Sequence, residues 1–414
     1  MKRGDFLLIA STVDAQRISL AERAGSREEL TQLRNQSFRC PICHAPVLLK
    51  AGEKRRWHFA HRPHHTCLVE NEPETEAHLA GKYDLFHWSR SAGRAPRLEY
   101  YLPELHQRPD VYLPGIEPTA LEYQCSAIPE KRLAERSIGY LQRHITPIWI
   151  IGTHHYSYKR NMIRLSGFVS MAIRRSRAAS SQHPFSSPYF IWFYNASTKC
   201  FLLASCLTPL SKTYFISQQS YCILSECKPY QLLAPHLDFA PEPFIRLWLT
   251  MKKRKRLARP LRMTREEYLL RSQVYQFRQQ FAWFPSYVGL PHHSFMYFLN
   301  PPLLWQMWLV LLLGRIQPGD WFTPERMLAE ASRRGVADLF ALRPLPLCPI
   351  KTAGQLIAVY LTQLVRLHVA EQSGTSYRMF PYPVQETTFT ECLEQDRQTL
   401  VQLETALLHD PIKE

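Results

Sequence analysis

The chain has 414 residues, 45% of them hydrophobic, and a formal net charge of +16. That is enough apolar material for several cores, about two to four domains, and the basic balance favours a polyanionic partner such as DNA or RNA. No apolar run approaches the roughly 18–20 residues of a membrane-spanning helix, and Phe6–Ala10 is too short for the core of a signal peptide. The expected compartment is therefore the cytoplasm.

Residues 1–70 read as a small β-rich module. Cys40-Pro-Ile-Cys43 is followed by His58-Phe-Ala-His61, a Cys₂His₂ set suited to tetrahedral zinc. Lys50–Trp57 reads as a hairpin between the two halves. His64, His65 and Cys67 stand close enough to compete for the fourth position. The close spacing of the His pair suits a turn or short strand rather than the helix of common DNA-binding fingers.

Residues 71–165 carry the second element set. Glu74, His78 and Lys82 recur every four residues and stack on one helix face. Arg97–Tyr101 can form a strand. Residues 108–124 then read as a tight hairpin, with Pro114-Gly115 and Pro118 marking the turn. Symmetry about Ile116 would set Asp110 across from Glu122, with Gln124 on the same face. Two unneutralised carboxylates facing one another repel, and a bound Mg²⁺ or Mn²⁺ would remove that cost. The hairpin thus reads as a metal-dependent phosphodiesterase site. Pro129–His144 follows as a helix with Leu133, Tyr140 and Leu141 roughly on one side, and Pro147–Gly152 as a buried strand.

Further on, residues 166–243 read as a β-rich extension with linkers. Arg174–Pro188 has linker composition, and residues 189–227 alternate as strands that extend the earlier sheet. Residues 244–414 read as a helical domain. Lys252, Lys253, Arg254, Lys255 and Arg256 form its most basic run, either a solvated helix face or a phosphate-binding patch. Phe281, Trp283, Phe284 and Tyr287 are core residues or a platform for unpaired bases. Leu303–Leu313 reads as a buried helix, and Glu386–His409 as an amphipathic one that packs internally or binds a partner.

The order helix–strand–strand–strand–helix–strand is similar to the PD-(D/E)XK nuclease superfamily core. More narrowly, the chain resembles the competence protein CoiA family. The resemblance rests on Cys-Pro-x-Cys…His-Phe-Ala-His, the Glu74-x-x-x-His78-x-x-x-Lys82 helix, Arg108-Pro-Asp-Val111, Glu122-Tyr-Gln-Cys-Ser126 and Trp149-Ile-Ile-Gly152. It implies a zinc-ribbon-like β module, a restriction-endonuclease-like mixed sheet and a mainly α-helical C-terminal region. It also implies action on incoming DNA, single-stranded or a recombination intermediate, during natural transformation, alongside a recombinase or another competence protein. Asp110 and Glu122 would hold the divalent cation, with Glu74 as the acid of the first helix. Arg108 and Arg136 would meet nucleic acid. Gln124 stands where the superfamily commonly has Lys, so Lys82 or Gln124 itself would orient the attacking water. That departure leaves open a second reading, a DNA-binding or recombinase-adaptor protein that keeps the nuclease fold without cleaving.

Overall fold

A computed structural model describes residues 6–23, 26–52, 56–62, 65, 67, 75–178, 183–258, 262–380 and 388–412. The first part is an antiparallel sheet built from β1 (Phe6–Leu7), β2 (Ile9–Thr12), β3 (Arg17–Ser19), β4 (Phe38–Arg39), β5 (Pro46–Lys50) and β6 (His58–His61), in the order β1-β6-β5-β4-β2-β3. Helix α1 (Arg27–Arg34) starts where Ser26 and Glu29 close a capping box, each side chain accepting from the other's backbone N–H.

The central body is a ten-stranded mixed sheet. Its strands enter around α2 (Glu76–Ser91) as β7 (Arg97–Leu98), β8 (Val111–Leu113) and β9 (Thr119–Gln124). They continue after α3 (Glu130–Gln142) as β10 (Thr146–Gly152), β11 (Tyr158–Lys159) and β12 (Met162–Arg164). After the short α4 (Gly167–Ser170) come β13 (Arg174–Arg175), β14 (Tyr189–Asn195), β15 (Cys200–Pro209) and β16 (Tyr214–Ile223). The order is β11-β12-β16-β15-β14-β10-β9-β8-β7, with β13 pairing β14. Strands β9, β10 and β14 run parallel and the other pairings are antiparallel. A parallel neighbour needs a crossover, and α3 supplies it between β9 and β10.

The period of two along the central strands divides two cores. Trp149, Ile151, Ile191 and Phe193 face the helical domain, and Ile148, Ile150, Phe190, Trp192 and Tyr194 face α2. Because β14–β16 complete this sheet, the expected division at residue 165 falls inside one layer. Arg174–Arg175, expected in a linker, is a strand, and the Arg174 guanidinium is buried against the Pro147 carbonyl. Along α3, Leu133, Ser137 and Tyr140 face inward, but Leu141 is exposed because its neighbour Tyr140 already takes the inner face.

The remaining helices are α5 (Pro241–Leu257), α6 (Arg265–Gln276), α7 (Pro302–Leu311), α8 (Pro324–Arg333), α9 (Ala353–Arg366) and α10 (Phe389–His409), with a hairpin of β17 (Ala370–Ser373) and β18 (Ser376–Met379). Every residue of α7 is buried. Leu400, Leu403 and Leu407 of α10 join the same core, so its apolar side packs within the chain. Among the described residues no helix is long and apolar enough to cross a membrane.

Candidate nuclease-like site and metal centre

In the N-terminal sheet, one ligand atom each from Cys40, Cys43, His61 and Cys67 lie within 4.8 Å of one another. Cys40 and Cys67 Sγ are 3.9 Å apart, and Cys43 Sγ is 3.3 Å from His61 Nε2. The edges of a tetrahedron with metal–ligand bonds near 2.0–2.3 Å are about 3.3–3.8 Å, so the four fit one metal ion. His58, expected as the fourth ligand, is replaced by Cys67. The reason is the strand itself: His58 and His61 are three apart on β6, so they point to opposite faces. His58 instead places Nδ1 2.9 Å from the Arg56 carbonyl. The expected competitor His65 brings Nε2 to 3.3 Å of Cys43 Sγ from outside the four. Contact with the Cys67 thiol and burial push the Cys40 thiol far up, an arrangement that a coordinated cation would reverse.

The hairpin has the expected register. Val111 pairs Leu121, so Asp110 stands one step further, opposite Glu122, and Ile116 projects fully exposed at the turn. On the other edge Leu98 pairs Val111, and the Glu99 N–H donates to the Asp110 carbonyl at 3.0 Å. Glu99, Asp110 and Glu122 therefore occupy successive backbone positions across three neighbouring chain segments. No sequence motif marks Glu99. Extending the pairing of Arg97–Tyr101 across Asp110 would have found it.

Each carboxylate is neutralised by its own partners. Asp110 Oδ2 accepts from Tyr123 N–H at 2.8 Å and from His78 Nε2 at 3.1 Å, and its Oδ1 lies 3.8 Å from Lys82 Nζ. Burial pushes this carboxyl up, but His78, Lys82 and the Tyr123 N–H outweigh it and hold it well below the usual carboxylate range. Lys82 donates to Glu99 Oε1 at 2.5 Å, and Leu8 N–H donates to Glu99 Oε2 at 3.0 Å. Burial again opposes ionisation of Glu99, and Lys82 and Arg108 more than offset it.

Glu122 belongs to the other face, so the shared face expected for Asp110 and Glu122 is not formed. Tyr123 packs toward α2, so Glu122 turns toward α3, where Oε1 accepts from Arg136 Nη2 at 2.5 Å and from the Tyr140 hydroxyl at 2.6 Å. Arg136 also lies over the Trp149 ring, 5.1 Å from its centroid. Gln124 is buried and donates from Nε2 to the Ser126 carbonyl at 2.7 Å. The α2 residues His78 and Lys82 thus meet Asp110 as their spacing implied, whereas Glu74 lies outside the described residues. His154 and His155, at the end of β10, both turn Nε2 to the Cys125 carbonyl just past Gln124.

The basic run on α5 divides by face. Lys252 and Arg256 are four apart and buried, both bound to Asp396 of α10; Arg256 is bidentate at 2.7 and 2.8 Å. Their expected role in binding nucleic acid is corrected to an internal one, because the helix turns that face into the core. Lys253 and Arg254 are exposed, and Lys255 lies 3.8 Å from Glu267. Phe284 stacks under Arg256 and Phe281 under Arg271, so both aromatics are core residues.

A mixed sheet with crossing helices, buried carboxylates at its strand ends and a Cys/His cluster in a separate small sheet suit a protein with a nuclease-like domain. Three family models match the chain in order: the N-terminal domain of competence protein CoiA over residues 23–70, its nuclease-like domain over 74–237 and its C-terminal domain over 245–391. Competence protein CoiA of Bacillus subtilis (strain 168) is 31% identical over 297 residues, which are 68% of this chain and 73% of that protein. The chain belongs to the competence protein CoiA family. No solved structure matches it.

Proposed function

We propose that this protein is a divalent-cation-dependent nuclease that processes incoming DNA for recombination during natural transformation. The observation that carries the reading is Asp110: a largely buried carboxylate, kept ionised by two hydrogen-bond donors and the nearby Lys82 charge, and paired in register with Glu122 across the hairpin. Asp110 would hold Mg²⁺ or Mn²⁺, with Glu122 as a second ligand once it turns from Arg136 and Tyr140. Bound there, the cation supplies Lewis-acid stabilisation of the phosphate and a water of lowered pKa. Lys82 and His78 fix the orientation of Asp110, and Tyr123 N–H locks its Oδ2. Gln124, an uncharged amide, can hydrogen-bond a water or a phosphate but cannot supply a cation. Zinc suits the three-thiol, one-imidazole set as a structural ion, since all four positions are filled by protein.

A second reading is favoured by one observation. Arg136 and Tyr140 already engage Glu122, and the amide at Gln124 replaces an ammonium, which together suit a DNA-binding recombinase adaptor. Cleavage and binding assays on single-stranded, double-stranded and branched DNA, with Mg²⁺, Mn²⁺ or EDTA, separate the two. Cation-dependent cleavage lost in Asp110→Ala supports the nuclease. Binding that survives both EDTA and Asp110→Ala, with no cleavage of any substrate, supports the adaptor.

A further inference from the structure

We propose that Glu99 is a positioning residue of the nuclease-like site, holding and neutralising Lys82 so that Asp110 keeps its charge for a divalent cation. This rests on the reading of Asp110 as a cation ligand. Lys82 lies between two carboxylates, 2.5 Å from Glu99 Oε1 and 3.8 Å from Asp110 Oδ1. Its side chain is 1% exposed and that of Glu99 is 2% exposed, so solvent screens neither charge. With Glu99 ionised, it and Asp110 answer Lys82 and the neighbouring Arg108, and Lys82 is spent on Glu99 rather than on Asp110. Without it, Lys82 would cancel Asp110 alone, and a cation would meet a carboxylate already compensated.

The backbone shows how firmly Glu99 is placed. Its φ is +47°, a left-handed conformation unfavourable for a side-chain-bearing residue. Three anchors hold it there: its own N–H on the Asp110 carbonyl, Oε1 on Lys82 and Oε2 on Leu8 N–H. Leu8 belongs to the N-terminal sheet, and Arg17 of the same sheet donates to the neighbouring Leu98 carbonyl at 2.7 Å. The module that carries the Cys/His centre is thereby keyed directly to the residue that governs Lys82.

A purely structural brace between the two sheets would use the same contacts, so the test must read charge. Mn²⁺ binding to the full-length protein, followed by electron paramagnetic resonance, does this for wild type, Asp110→Ala, Glu99→Gln, Lys82→Met and the Glu99→Gln/Lys82→Met pair. Glu99→Gln is expected to weaken binding at the Asp110 site on the order of tenfold, and the added Lys82→Met to restore it to within about threefold. Lys82→Met alone is expected to tighten binding, a result that does not depend on how Glu99→Gln folds. Unchanged binding in Glu99→Gln, weakness that persists in the folded double variant, or no tightening in Lys82→Met would overturn the proposal. Wild-type Mn²⁺ binding indifferent to Asp110→Ala would instead remove the ligand reading on which it rests, and the proposal with it.

Discussion

Glu122 and Asp110 occupy paired backbone positions, and each carboxylate is satisfied from a different helix, α3 for one and α2 for the other. This is how like charges on adjacent strands are tolerated: the repulsion is met locally by cations and donors. Removing the Tyr140 hydroxyl should therefore cost more than an exposed hydrogen bond. Tyr140→Phe is expected to lower stability by about 1–3 kcal/mol, read by urea denaturation, because a buried carboxylate loses a donor. At the metal centre the same scale of reasoning separates two histidines. Cys67→Ser and His61→Ala are expected to lower the bound zinc of the purified protein by at least half, measured by mass spectrometry of the metal, whereas His58→Ala is expected to retain it. The Cys-x-x-Cys pair was legible in the sequence. The fourth ligand was not, because that choice depends on which face of β6 each histidine takes, and the spacing suited a turn as well as a short strand.

At the scale of elements, α2 lies against β9 by virtue of one missing side chain. A Cβ at Gly81 would fall 2.1 Å from Tyr123 Cε1, so Gly81→Ala is expected to destabilise the domain by about 1–3 kcal/mol and to shift Asp110 through the Tyr123 N–H. A melting curve checks the first effect, and Mn²⁺ affinity checks the second. The hairpin, α3 and β10 could be read from turn residues and apolar periodicity, since their period and length agree. The acidic positions could be read only in part. Asp110 and Glu122 follow from symmetry about the turn, but Glu99 enters through a third segment in a left-handed conformation that strand patterning does not anticipate. The Arg174 segment differs from its expected linker for a related reason: basic and serine-rich composition resembles a linker, although the residue pairs with β14 and buries its guanidinium.

Over the whole molecule, charge is divided between structure and surface. Two cations on α5 converge on the single carboxylate of Asp396, leaving Lys252 as the surplus charge in the core, and burial draws its pKa down from 10.5 to about 8. A base whose folded pKa is depressed penalises folding while it is protonated. The Lys252 contribution should therefore become more favourable as pH rises from about 8 towards 10.5, and this gain should vanish in Lys252→Met when chemical denaturation is repeated across that range. Lys253 and Arg254, by contrast, are exposed. If they contact DNA, their double substitution to Ala should reduce the salt slope of binding by about 2. The basic run was visible in sequence; which members point inward depended on α10, far away along the chain. The most direct test of the central claim uses Asp110→Asn, which preserves shape and one acceptor oxygen for Tyr123 N–H and His78 but removes the charge. In single-turnover cleavage with Mn²⁺, the wild-type protein is expected to cut DNA and Asp110→Asn to be slower by about 10² or more. Equal rates in the two folded proteins would contradict the assignment of Asp110 to the centre of the site.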